Sequence, residues 1–218
     1  GVAYAAVGRT MRAIESFKRS IRLRGDDSNI FAYYNLGRLY AFMGLQNRAI
    51  EVLNKAIKIS PNYNKLYCGL GYIYKEDIAK AEEFFKKAIQ MKEEDYEPHY
   101  CLGAIYIKNK HYKKAMDEFN KALKFGLRDS EIYNKLGFAY IKNSRFKDAE
   151  MAFMRSLALN KDQREPYNNL GNLYSMFGYF DLAIHEYKEA LRIEPSDKGI
   201  VDKIVKAKKE WKEALIKK

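Results

Sequence analysis

The chain is 218 residues long, 47% hydrophobic and 14% aromatic, with a formal net charge of +12 at pH 7. No apolar run within it is long enough to span a bilayer as a helix, and no signal-peptide pattern stands at Gly1; a cytoplasmic location is the expectation. Two cysteines, Cys68 and Cys101, cannot build a disulfide framework, and on neighbouring helices about 8–10 Å apart they are expected to be free thiols.

From the N-terminus, residues 1–29 carry Gly1, Tyr4, Ala13, Phe17 and Ser20 at intervals that later segments complete, so the chain is expected to begin partway through a repeat. Counting Ile30 as position 1, residues 30–63 place Tyr33, Leu36, Gly37 and Tyr40 at positions 4, 7, 8 and 11. Ala49, Leu53 and Ala56 follow at 20, 24 and 27. Residues 64–95 repeat the set as Tyr67, Leu70, Gly71, Tyr74, Ala81, Phe85 and Ala88. They are two residues short, and a tightened turn is expected near Glu76-Asp77. Residues 96–129 carry His99, Leu102, Gly103, Tyr106, Ala115, Phe119 and Ala122. Residues 130–163 carry Tyr133, Leu136, Gly137, Tyr140, Ala149, Phe153 and Ser156, and residues 164–197 carry Tyr167, Leu170, Gly171, Tyr174, Ala183, Tyr187 and Ala190. Residues 198–218 read as one lysine-rich helix with Ile200, Ile204, Ala207, Trp211 and Leu215 on a single face, expected to cap the last repeat.

Positions 4, 7, 8 and 11 share one stripe of a helix, and 20, 24 and 27 share a stripe of a second. A mid-helix glycine costs about 1 kcal/mol relative to alanine, so its recurrence at one register implies close helix approach. With alanine at position 20, it is expected to make room for neighbouring backbones. Pro61 and Pro195 fall just past second helices; Pro98 and Pro166 fall in the first turn of first helices, where a missing N–H costs nothing. This skeleton resembles the tetratricopeptide repeat (TPR), a helix–turn–helix unit of about 34 residues. The resemblance implies an all-α, right-handed α-solenoid: a half repeat, five repeats and a C-terminal capping helix, forming one elongated domain.

With that stripe buried, positions 2, 5, 9 and 13 of each first helix face the other way. In TPR proteins this face lines a concave groove that holds a peptide or helix, and the resemblance implies the same here. The candidate partner-binding residues are Phe31, Tyr34, Arg38, Phe42, Lys65, Tyr72, Tyr100, Lys108, Asn134, Phe138, Asn168, Asn172 and Met176. Aromatic side chains dominate the first half of this surface and amides the last repeat. Tyr and Phe give large contact area for little conformational entropy, which suits recognition. One TPR subclass grips a C-terminal carboxylate with a five-residue basic and amide clamp; aligning it here matches only Asn35 and Lys65, with Val2 and Gly69 departing from it.

The remaining chemistry is sparse. His99, His111 and His185 occupy different repeat positions, so no metal or cofactor is expected. The Leu-Gly glycines lie inside helices and form no phosphate loop, and no small-molecule substrate or catalysis is expected. The leading function is a non-catalytic scaffold for a protein or peptide partner. Self-assembly, or a larger complex built through the repeat ends, is the second reading. Nucleic-acid or anionic-surface binding is the third. The excess basicity sits at the ends, +3 over residues 1–29 and +5 over 198–218, which argues against a continuous nucleic-acid track.

Overall fold

A computed structural model of the chain describes residues 2–24 and 29–216. Gly1, most of the expected link before Ile30, and Lys217-Lys218 lie outside the described residues, as do the side chains of residues 2–9, Tyr4 among them. The described residues contain twelve α-helices and no strand. They are α1 (Val2–Arg24), α2 (Ile30–Phe42), α3 (Gln46–Ile59), α4 (Asn64–Ile73), α5 (Ile78–Met91), α6 (Tyr96–Lys108), α7 (Tyr112–Lys124), α8 (Ser130–Lys142), α9 (Phe146–Leu159), α10 (Arg164–Met176), α11 (Phe180–Ile193) and α12 (Lys198–Ile216). They form two compact units, Gly1–Ile105 and Tyr106–Lys218.

Several helix starts are fixed by side chains that satisfy orphan N–H groups. Asn29 Oδ1 accepts from the N–H of Ala32 at 3.1 Å, and Asp77 Oδ1 from that of Lys80 at 3.2 Å. Asp129 Oδ1 accepts from Glu131 and Asp197 Oδ1 from Ile200. Pro98 and Pro166 are each the third residue of their helix and are fully buried. In the first unit α2 packs on α3 and α4 on α5, and the first helices α2 and α4 also touch. In the second unit α8 pairs with α9 and α10 with α11, α8 touches α10, and α12 lies on α11.

The recurring glycine works within each hairpin. A Cβ on Gly37 would stand 2.7 Å from the Leu53 side chain; on Gly71, 2.8 Å from Phe85; on Gly137, 2.6 Å from Phe153; on Gly171, 2.5 Å from Tyr187. What fills the vacancy at position 8 is therefore the side chain at position 24 of the same hairpin. This corrects the expectation that neighbouring backbones claim that space. The alanines at position 20 (Ala49, Ala81, Ala115, Ala149 and Ala183) are wholly buried. Ser156, the one departure from alanine at position 27, is buried too and donates to the Ser130 carbonyl at 2.7 Å, which satisfies its hydroxyl.

Four hairpin turns share one geometry. The N–H groups of Leu45, His111, Arg145 and Tyr179 reach back five residues to the carbonyls of Tyr40, Tyr106, Tyr140 and Tyr174. Between them Gly44, Lys110, Ser144 and Gly178 adopt positive φ. This is the Schellman closure, with a left-handed residue just past the helix end. The α4–α5 turn differs. Its helix is 10 residues long where α2 has 13, and the link runs from Tyr74 to Asp77. The two missing residues of repeat 64–95 thus come out of the first helix, and the turn is not tightened.

Two further departures concern the ends. In a full repeat the intervals from Gly1 through Ala13 straddle a turn, but α1 is continuous from Val2 to Arg24. In α12, Ile200 and Ala207 are buried and Ile204 is half-buried, packed against the core around Tyr187 and Ala190. The apolar face beyond them is not covered: Trp211 is 42% exposed and Leu215 63%. At the start of α12, Arg164 pairs with Glu194 at 2.8 Å and Asp197 at 2.7 Å, linking α10 to the turn before α12.

Candidate protein-binding groove

In the first unit α1, α2, α4 and α6 border a groove of about 710 Å³. Of the candidate residues, Tyr34, Arg38, Phe42, Tyr72 and Tyr100 line it, together with Phe17 of α1 and the thiol residues Cys68 and Cys101. Phe31 and Lys65 are exposed on the same helices but outside this lining.

Position 5 forms the floor. Tyr34 and Cys68 are only 5% and 3% exposed, so they are far more buried than a free face requires. The Tyr34 ring rests near Gly69, itself buried at the groove, where Leu53 and Tyr34 occupy the space a side chain would take. Its hydroxyl donates to Glu97 Oε1 at 3.0 Å. Burial, and next the Glu97 charge, push the Tyr34 phenol well above its ordinary range, so it stays a donor. The same two causes, burial foremost, push the Cys101 thiol up to about 12 and the Cys68 thiol higher still. Both cysteines are free thiols, as expected.

Positions 9 and 13 form the rim. Tyr72 is 52% exposed and Phe42 81%, large apolar groups left open to water. Arg38 lies over the Tyr34 ring at 5.5 Å and Lys75 over the Tyr72 ring at 4.8 Å. Such cation–π contacts orient the rings. The groove thus offers an apolar floor of rings and neutral thiols, with one guanidinium and one carboxylate at its wall.

The candidates in the second unit behave differently. Asn134 Oδ1 accepts from Asn169 at 3.0 Å, Asn168 Oδ1 from Lys203 at 2.7 Å, and Asn172 Oδ1 from the Tyr187 hydroxyl at 3.0 Å. Their acceptor oxygens serve the chain itself. Phe138 packs edge-on against Tyr112 at 6.0 Å, with Lys142 over its face. Lys108 and Met176 are exposed. A second concavity of about 630 Å³ lies at the α8–α9 and α10–α11 turns, lined by Phe146, Leu173, Tyr174, Phe177, Tyr179 and Leu182 among others. Sequence reasoning missed it. Its signal was aromatic residues at positions 14, 16 and 17, which the groove-facing register leaves out. Among the described residues no three metal-ligating side chains converge, and no helix is long and apolar enough to cross a membrane.

Stacked helical hairpins with a pocketed face define a helical-repeat protein. Models of the tetratricopeptide repeat match residues 32–63, 72–137, 130–163 and 165–197. The chain belongs to the tetratricopeptide repeat family, and the fold is the all-α solenoid of that family, a protein-interaction scaffold. It is similar to the BBSome complex member BBS4 of Bos taurus, 30% identical over 104 residues, which is 47% of this chain and 20% of that protein. The Mus musculus counterpart is 29% identical over 104 residues, 19% of its length. The chain therefore spans about a fifth of these curated relatives. Among solved structures it is similar to YrrB, described as a TPR protein with an unusual peptide-binding site. The TM-score is 0.68 with 22% identity, covering 90% of this chain and 99% of that one. It is also similar to the APC/C hetero-tetramer Cut9-Hcn1, with a TM-score of 0.75 and 20% identity, covering 94% and 41%. At such identities these likenesses speak for the fold.

Proposed function

We propose that the chain is a non-catalytic scaffold whose first unit holds a peptide or helix of a partner protein in the groove between Tyr34, Arg38, Phe42, Tyr72 and Tyr100. One observation carries this reading: five candidate side chains on three separate helices border a single concavity, two of them exposed aromatics. A protein segment with an apolar anchor would place it against the rings and thiols. Arg38 would contribute a polar contact at the wall. YrrB, whose description names a peptide-binding site, and BBS4, a member of a complex, support a role in protein association. The second unit contributes structure more than recognition at positions 5 and 9, because its amides are already bonded.

The test compares proteins retained from an extract of the source cells by the parent chain and by Tyr72→Asp and Arg38→Glu variants. Both residues are exposed, so the folded helix content is expected to stay unchanged by circular dichroism. Loss of the same retained protein in both variants is the expected result. Equal retention by all three chains overturns the assignment to this groove.

A further inference from the structure

We propose that the outward face of α12 is a docking surface for an acidic amphipathic protein segment. On a helix advancing about 100° per residue, the side chains of α12 segregate sharply. Ile200 and Ala207 turn onto the core. Next to them, an arc of roughly 160° holds Trp211, Leu215, Val201, Val205 and Ile216, all more than 40% exposed. The same arc carries Lys198, Lys208, Lys209 and Lys212 and no carboxylate. All three acids of α12, Asp202, Glu210 and Glu213, lie outside the arc, on the flank beyond Lys209.

This arrangement is unlike a solvated cap. The flank acids engage Lys206 and Lys209, with Lys206 to Glu210 at 3.8 Å and Lys209 to Glu213 at 4.0 Å. No ion pair closes on Lys208 or Lys212 among the described residues; Lys208 sits between Leu215 and Val201, and Lys212 between Val201 and Val205. A row of uncovered apolar groups interleaved with unpaired cations fits a partner of matching pattern: apolar residues flanked by glutamate or aspartate. A bilayer fits less well. An interfacial helix keeps its cations on the polar face or at its flanks, where they can reach water. Here Lys208 and Lys212 stand at the centre of the apolar arc and would point into hydrocarbon. The surface belongs to the second unit and shares no residue with the Tyr72 groove.

Trp211 is the only tryptophan of the chain, so its fluorescence reports on this face alone. The probe is a synthetic helix-forming peptide as long as α12, with leucines on one face flanked by glutamates, titrated at physiological salt. The comparators are the same peptide with lysine for glutamate, and phosphatidylcholine vesicles containing phosphatidylserine. The expected result is a saturable blue shift of Trp211 emission with the glutamate peptide only. In Lys208→Glu/Lys212→Glu binding weakens at least tenfold, the reversal converting two attractions into repulsions. Lys206→Glu, on the far flank, binds within twofold of the parent. No response to the glutamate peptide, an equal response to the lysine peptide, or unchanged affinity in the double variant each overturns the proposal. A blue shift with vesicles and none with peptide reassigns the face to a lipid surface and also overturns it.

Discussion

Positions 5 and 9 of successive first helices include Tyr34, Arg38, Cys68, Tyr72 and Tyr100 in the first unit, and are Asn134, Phe138, Asn168 and Asn172 in the second. The first set surrounds a groove. In the second set each asparagine accepts a hydrogen bond from a side chain of its own unit, two of them one repeat away. One register therefore supports two uses. Aromatic rings and thiols have few hydrogen bonds to make with neighbours and leave apolar surface uncovered. Asn134 and Asn168 are half-buried and Asn172 is exposed, and each amide oxygen finds a donor within the chain. Under the proposed function, recognition and internal cross-bracing draw on the same face, with residue type deciding between them.

The largest test of this contrast is chemical. If the groove floor is as dry as the Cys101 thiol at about 12 implies, alkylation by iodoacetamide at neutral pH is slowed roughly a thousandfold relative to the unfolded chain, because the thiolate reacts. The folded state also holds these protons more tightly than the unfolded state. Stability therefore falls as pH rises from the ordinary thiol value of 9.0 towards about 12. Mass spectrometry of the labelled chain against time checks the first point, and thermal melts across that range check the second. Rapid labelling of both cysteines in the folded chain would contradict a dry floor.

The bracing in the second unit predicts the next effect. Asn172→Ala leaves the buried Tyr187 hydroxyl without its acceptor and is expected to cost about 1–3 kcal/mol in urea unfolding, while partner capture persists. A smaller effect separates two turns of identical geometry. Gly44→Ala forces an alanine to positive φ, where nothing crowds its Cβ, and is expected to lose about 1 kcal/mol. Lys110→Gly relieves the same strain and is expected to gain roughly 0.5 kcal/mol after the entropy of the added glycine is counted. Opposite shifts in melting temperature check the pair. Least of all, Tyr72→Ala, on the exposed rim, changes stability by no more than about 0.5 kcal/mol, so any loss of binding is not a loss of fold.

Much of this structure was legible in the sequence because its period is about the length of one hairpin. Leu36 with Gly37, and their counterparts, announced the first helices, and the alanines at position 20 announced the second. Register alone also puts Tyr34, Arg38, Phe42, Tyr72 and Tyr100 on one face, and these five line one concavity. What register could not supply was contact. It places Asn134, Asn168 and Asn172 on the groove face without showing their bonds to Asn169, Lys203 and Tyr187, which become neighbours only once hairpins fold and stack. Two of those pairs are 35 residues apart, a spacing that a repeat-aware reading can search for. The left-handed turns at Lys110 and Ser144 carried no glycine to give them away. The shortened α4 was misplaced into its turn because deletion counts do not say which element gives up a turn. The exposed half of α12 was assigned to the core because an apolar stripe does not show how far its cover extends.

The packing of position 24 into the glycine at position 8 has a kinetic corollary. Gly37 meets Leu53, Gly137 meets Phe153 and Gly171 meets Tyr187, each after an excursion of about sixteen residues. In these hairpins that close fit is made within the hairpin itself. Short excursions close quickly and at small entropic cost. Rungs can accordingly mature one after another as the polypeptide leaves the ribosome, each presenting a finished flank on which its successor condenses.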